Sequence, residues 1–260
     1  ESNPPIRGQG SHGMHAADLD GDGKQEIILG SVALDDDGTT LWNVNMGHND
    51  VGYLADVIPA RPGLEIALGY ETRQAKNGIC LVDARTGEII WGHPYKTTHI
   101  HDQGMFGDFV PDNPGMEFYS AEQDRTGYWL YDAATGELIS DENIGGLSPH
   151  AVYWSEKTTK AFIPEISYRD RTGTHTNQIL EYGGAQIGSI QGTIVAIADV
   201  VGDWREELIV SYKGELRIYT TTIPTTRRRV CLMEDPLYRN DAAQQSMGYF
   251  YPPQLSYHFR

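Results

Sequence analysis

One acidic glycine turn, repeated along the chain, limits the fold more than anything else in the sequence. Asp18-Leu19-Asp20-Gly21-Asp22-Gly23-Lys24-Gln25-Glu26-Ile27-Ile28 reads as the end of one strand, a tight turn and the start of the next. Aligned on the leading acid, further copies start at Asp56, Asp108 and Asp199, and each places a glutamate (Glu65, Glu117, Glu207) at the head of an apolar run. A degenerate copy around Trp154 lies between the last two. The leading positions 18, 56, 108, 154 and 199 are 38, 52, 46 and 45 residues apart. That interval is about one four-stranded propeller blade.

A second motif falls between these turns. Asp83-Ala84-Arg85-Thr86-Gly87 and Asp132-Ala133-Ala134-Thr135-Gly136 each join two alternating apolar runs, and Asp35–Thr39 is a related acidic hairpin. Asp starts such a turn and Gly supplies its positive φ. Each repeat thus offers four strand candidates, and no segment keeps a helical period of useful length. The expected fold is all-β, a β-propeller of about five four-stranded blades over residues 12–221. Residues 1–11 read as a linker or the tail of a preceding element, and the Pro-, Arg- and Tyr-rich stretch 222–260 as a closing segment. Five units either close a ring or form part of a larger one. The larger ring is favoured, because five units are few for repeats this long.

The formal net charge of -16 excludes a nucleic-acid binder, which needs a basic surface. Two cysteines, Cys80 and Cys231, without a C-x-x-C argue against a zinc-thiolate site or a disulfide scaffold. No apolar run reaches the roughly 18 residues that a membrane helix needs.

Asp18, Asp20 and Asp22 alternate around glycines and Glu26 follows; with the Lys24 carbonyl they form an oxygen-only donor set in a flexible loop. Such a set suits Ca²⁺. A solvated turn without metal is the competing reading, and for the sparser copies structural hydrogen bonding is at least as good an account. The histidines cluster just before the first strand of each of the first four repeats: His12 and His15, His48, His99 and His101, and His150. In a propeller those entries open on one face, so the rings should converge at a single mouth. His99-x-His101 puts two rings on one side of an extended segment, with Asp102 alongside. A transition-metal site built from His12, His15, His99 and His101 is the alternative.

The C-terminal third carries a longer resemblance. Asp199 to Glu207, Leu216 to Thr225, Arg228 to Arg239 and the tail from Gln244 through Tyr249 to Pro253 resemble the closing region of the rhamnogalacturonan lyases of polysaccharide lyase family 11. Gly47-His48-Asn49-Asp50, Arg61-Pro62-Gly63-Leu64-Glu65 and Pro114-Gly115-Met116-Glu117 are similar to other motifs of that family. The resemblance implies an eight-bladed, calcium-binding propeller that cleaves the rhamnose- and uronate-containing backbone of pectin by β-elimination. It also implies a secreted or periplasmic protein, an acidic polysaccharide as partner and a missing N-terminal part.

β-Elimination beside a uronate needs a cation or Arg to neutralise the carboxylate, a base for the C5 proton and an acid for the leaving oxygen. The candidates are His48 or His101 as base, Tyr53 as proton donor, and Asp50 and Asp102 to orient the rings or hold a catalytic Ca²⁺. His15, His99, His150, Tyr238 and Arg239 are candidate substrate contacts, and Tyr249 a candidate sugar platform. Arg227–Arg229 reads more simply as an exposed flank. The competing class is a non-catalytic glycan-binding or assembly module.

Overall fold

The computed structural model describes residues 6–165 and 173–259. They form a series of antiparallel sheets, each built from strands consecutive in sequence. The first holds β1 (His15–Ala17), β2 (Glu26–Ile28), β3 (Val32–Leu34) and β4 (Thr40–Asn43). The second holds β5 (Asn49–Ala55), β6 (Glu65–Tyr70), β7 (Ile79–Asp83) and β8 (Ile89–Gly92). The third holds β9 (Met105–Gly107), β10 (Glu117–Ala121), β11 (Tyr128–Asp132) and β12 (Leu138–Ser140). The fourth holds β13 (His150–Val152), β14 (Ala161–Ile163), β15 (Thr176–Leu180) and β16 (Gln186–Gln191). The fifth has three strands, β17 (Thr193–Ala198), β18 (Glu207–Tyr212) and β19 (Glu215–Tyr219).

The repeated glutamate explains why the acidic turn recurs. In each copy it sits at the foot of a second strand and folds its Oε2 back onto the turn. Glu26 accepts from the Leu19 amide at 2.6 Å, Glu65 from Val57 and Ile58, Glu117 from Phe109 and Val110, and Glu207 from Val200 and Val201. The buried ones, those of Leu19, Val57, Phe109 and Val110, would otherwise lack partners, which is costly. Desolvation pushes Glu65 up to about 7 and Glu117 to about 8. The fourth repeat, which lacks the acid, borrows one: Glu206 accepts from the Tyr153 amide at 2.7 Å and pairs with the buried Lys160.

The Asp-x-x-Thr-Gly turn joins neighbouring sheets. Asp83 accepts from the Arg85 and Thr86 amides, and Asp132 from Thr135. Trp42 of the first sheet donates its Nε1–H to the Ala84 carbonyl, and Trp91 of the second donates to Ala133, both at 2.8 Å. Each indole lies over the turn glycine, and a Cβ on Gly87 or Gly136 would come within 2.9 or 2.6 Å of it. Both glycines also have positive φ, so only Gly meets the two demands at once. Apolar clusters between successive sheets complete the stacking, from Ile28 and Trp42 against Ile66 to Ile179 and Ile190 against Leu208 and Val210. On the fifth sheet Leu216 and Ile218 face away from the fourth and are 71% and 59% exposed.

Residues 9–11, read as a linker or the tail of a preceding element, are bonded to the first two sheets: Gln9 accepts from the Ser31 amide through its carbonyl and from Gly47 through its side chain, and Ser11 donates to the Asn49 carbonyl. One expectation needs correction. The closing segment contains a helix, α1 (Pro236–Gln244). Its start was readable, since Asp235 caps the Leu237 and Tyr238 amides and Pro236 takes the first helical position. It was missed because its apolar residues follow no helical period. The helix packs on the first strands of the first and fifth sheets. Gln244 accepts from the Met14 amide, Asn240 donates to the Ala16 carbonyl, and Gln245 exchanges two hydrogen bonds with Ile197.

Candidate metal centre

Four histidines meet around one buried carboxylate. Asp50 is the extra residue of a bulge in β5, where the pairing with β6 shifts between Asn49 and Val51. A bulge re-aims a side chain, and this one aims Asp50 at the segments that precede the first, second and third sheets. His101 Nδ1 lies 2.9 Å from Asp50 Oδ2, and His99 Nε2 lies 3.7 Å from the same oxygen. His12 Nε2 and His48 Nε2 each lie 3.5 Å from Asp50 Oδ1. Glu71, just beyond β6, reaches His48 at 3.4 Å through Oε2 and His99 at 3.7 Å through Oε1. Asp50 is 1% exposed, whereas the four rings are 21–43% exposed, so the acid forms the floor and the imidazoles the rim.

The surroundings hold Asp50 in place. The Asp102 amide donates to its Oδ2 at 3.2 Å, with Asp102 held at φ 64, and Tyr251 donates to the Asp50 carbonyl. Among the described residues, its buried Oδ1 has no hydrogen-bond donor of its own. An orphaned carboxylate oxygen facing two imidazoles is a poor resting arrangement for a bare protein and a good one for a cation. The tail supplies one further group: Tyr249 stacks on His12 with ring centroids 4.1 Å apart. Desolvation and the charges of Asp50, Asp102 and Glu71 push its phenol up to about 12.

The chain matches the family described as "Rhamnogalacturonan lyase family 11, C-terminal domain" over residues 1–260. The chain belongs to this family. It is 36% identical to the rhamnogalacturonan endolyase YesW of Bacillus subtilis (strain 168), covering 98% of this chain and 40% of that protein. To the rhamnogalacturonan exolyase YesX of the same strain it is 34% identical, covering 99% of this chain and 45% of YesX. The crystal structure of YesX superposes with a TM-score of 0.84 at 32% identity, over 97% of this chain and 44% of that one. The Bacillus licheniformis family 11 lyase gives 0.77 at 31%, over 97% and 42%. The chain thus spans less than half the length of the curated relatives it matches.

Within this family 11 domain the rings of His12, His48, His99 and His101, four of those expected to converge, come together on Asp50. The convergence fails for His15 and His150. The His15 ring is buried between Asp241 Oδ1, 2.9 Å from Nδ1, and the Gly52 carbonyl, 3.2 Å from Nε2. Both ring nitrogens face acceptors, which is satisfied only when both carry protons. Burial opposes that charge, but Asp241 and the Gly52 carbonyl outweigh it and the pKa rises above 6.5. His150 packs on Phe250, and burial lowers its pKa to about 4.

Tyr53 is 1% exposed, packed on Phe106 and Tyr251, and cannot reach a substrate. Tyr238 is fully buried and donates to Glu206 at 2.7 Å, so it is a core residue of the tail. Arg239 is exposed on α1, and its Nη1 donates to the Met233 carbonyl, not to the cluster. Glu71 was missed: nothing marks it locally, and only its place across the sheet from the His48 segment brings it in.

The acidic turn is a separate place. Asp18, Asp20 and Asp22 bring carboxylate oxygens within 4.8 Å of one another, while Glu26 groups instead with Asp35 and Asp36. Asp18 accepts from the Gly21 and Gly23 amides, Asp20 from Asp22, and Asp22 from Lys24, whose Nζ lies 2.8 Å from Asp36.

Proposed function

We propose that this chain forms the catalytic cleft of a rhamnogalacturonan lyase, acting by β-elimination on a polymer of alternating rhamnose and uronate. The observation that carries the proposal is the convergence of His12, His48, His99 and His101 on Asp50 and Glu71 in a chain of this family. The donor set mixes imidazole with carboxylate, so a Mn²⁺- or Zn²⁺-like ion fits here better than Ca²⁺. Bound there, the cation supplies neutralisation of the uronate carboxylate, which stabilises the charge that develops when C5 loses its proton.

Histidines engaged as ligands are poor bases, so proton transfer falls to Tyr249. Desolvation, with the charges of Asp50, Asp102 and Glu71, disfavours its phenolate further in the ion-free protein. Neutralising those carboxylates lowers the cost of its anion. As the phenolate, Tyr249 can take the C5 proton and hand it, now as the phenol, to the leaving oxygen as the C4–O bond breaks and C4=C5 forms. Ca²⁺ belongs at the Asp18–Asp22 turn, as a structural ion. The five sheets are read as five blades of a larger propeller, the eight-bladed ring that the family resemblance implies. The apolar Leu216 and Ile218 on the outer face of the fifth sheet support that reading, since a closed five-bladed ring would cover them. A polymer substrate of this size places the protein outside the cytoplasm.

The test is absorbance near 235 nm, which rises as unsaturated uronate ends form from rhamnogalacturonan I in the presence of Mn²⁺ or Zn²⁺. His48→Ala and His101→Ala should lose both activity and bound metal. Tyr249→Phe should lose activity and keep the metal. Wild-type rates in the two histidine variants would remove the site. Polymer binding by the wild-type chain with no rise at 235 nm would make it a non-catalytic module.

A further inference from the structure

The donors around Asp50 fall into two sets, and the two carboxylates link them. His12, His48, Asp50 and Glu71 form one group and Asp50, His99 and His101 the other, each with its ligand atoms within 4.8 Å of one another. Asp50 divides its oxygens between the sets: Oδ1 faces His12 and His48, both at 3.5 Å, while Oδ2 faces His101 at 2.9 Å and His99 at 3.7 Å. Glu71 divides in the same sense, with Oε2 toward His48 at 3.4 Å and Oε1 toward His99 at 3.7 Å. Within the second set His99 Nε2 and His101 Nδ1 are 3.0 Å apart. Atoms bonded to one ion at roughly 2.1 Å stand about 3.0–3.4 Å from each other, so these separations resemble the edges of two coordination polyhedra.

We propose that the centre is dinuclear: two divalent, imidazole-preferring cations, each held by two histidines and one oxygen from each of two bridging carboxylates, Asp50 and Glu71. This rests on the reading of the cluster as a cation site and specifies its stoichiometry. Charge gives a reason for the second ion. One divalent cation against Asp50, Glu71 and the neighbouring Asp102 leaves a centre of roughly −1, which does not attract an acidic polymer. Two leave roughly +1, which the carboxylate of one uronate balances. The burial of Asp50 beneath four rings fits a bridging acid, because a carboxylate shared by two ions needs no solvent.

The chain is stripped with a chelator and dialysed against Mn²⁺ with excess Ca²⁺, so that oxygen-only turns fill with Ca²⁺; bound manganese is then counted by elemental mass spectrometry. The wild type should hold two manganese ions per chain. His12→Ala/His48→Ala and His99→Ala/His101→Ala should each hold one, and Asp50→Ala none. At low temperature the coupled pair should lack the six-line spectrum of isolated Mn²⁺, and that spectrum should return in each double variant. If a double variant does not fold, the wild-type count and spectrum decide alone. A single six-line ion in the wild type would overturn the dinuclear assignment and leave the cation reading standing. A wild type that binds no manganese would overturn both.

Discussion

The acidic turn at Asp18–Glu26 and the histidine centre at Asp50 are both clusters of metal-ligating side chains, and they are assembled in opposite ways. The turn draws its clustered donors, Asp18, Asp20 and Asp22, from five consecutive residues, and much of their ligand capacity is spent on their own backbone amides and on Lys24. The centre draws its donors from four segments between His12 and His101, with an acid that has a buried oxygen to spare. A local loop can satisfy itself, so its acids say little about chemistry. Groups brought together across sheets at the expense of burial and a bulged backbone need a reason outside the fold.

Removing the shared acid breaks the comparison most sharply. Asp50→Ala should lower the lyase rate by about a hundred- to a thousand-fold, with circular dichroism unchanged, whereas Asp20→Ala should leave the rate near wild type. Retained activity in Asp50→Ala would make the two clusters equivalent.

The buried His15–Asp241 pair comes next, because it anchors the helix whose tail carries Tyr249 and Tyr251 to the centre. His15→Leu leaves Asp241 buried without its partner and should cost about 3 kcal/mol in urea unfolding. The folded pKa of His15 is raised above 6.5, so its contribution is complete below about 6.5 and is lost as pH rises through the folded value. The gap between wild type and His15→Leu should therefore narrow with increasing pH. Glu65 and Glu117, raised to about 7 and about 8, also make stability fall as pH rises, but they do so in both proteins and cancel in the difference. A gap that widens with pH would refute the imidazolium.

A smaller effect is expected at the turn. Ca²⁺ should raise the melting midpoint of the wild type by a few degrees, about 1 kcal/mol, and the rise should vanish in Asp20→Ala/Asp22→Ala. Equal midpoints with Ca²⁺ and with chelator would assign the turn to backbone hydrogen bonding alone. The smallest effect belongs to Arg239→Ala, which should change stability by no more than about 0.5 kcal/mol and leave KM unaltered. A large rise in KM would return Arg239 to the substrate site.

Much of this was legible in the chain. The Asp…Glu spacing, the Asp-x-x-Thr-Gly hairpins and the strand alternation determine the meander sheets, because each is a contract among near neighbours: an amide, a carboxylate seven or eight residues away, a glycine with positive φ. The histidines were also visible as a recurring feature at the first strands of the first four sheets. What they touch was not. His12 and His15 are three residues apart, yet one ring reaches Asp50 while the other points to Asp241 on a helix more than two hundred residues away. Tyr53 and Tyr249 look alike in sequence, but only the second lies beside the imidazoles. Alternation along a strand states which residues share a face; it does not state what covers that face. The bulge at Asp50, the return of the tail across the first strands and the arrival of Glu71 depend on how whole sheets stack, and packing between distant segments is a property of the tertiary structure alone.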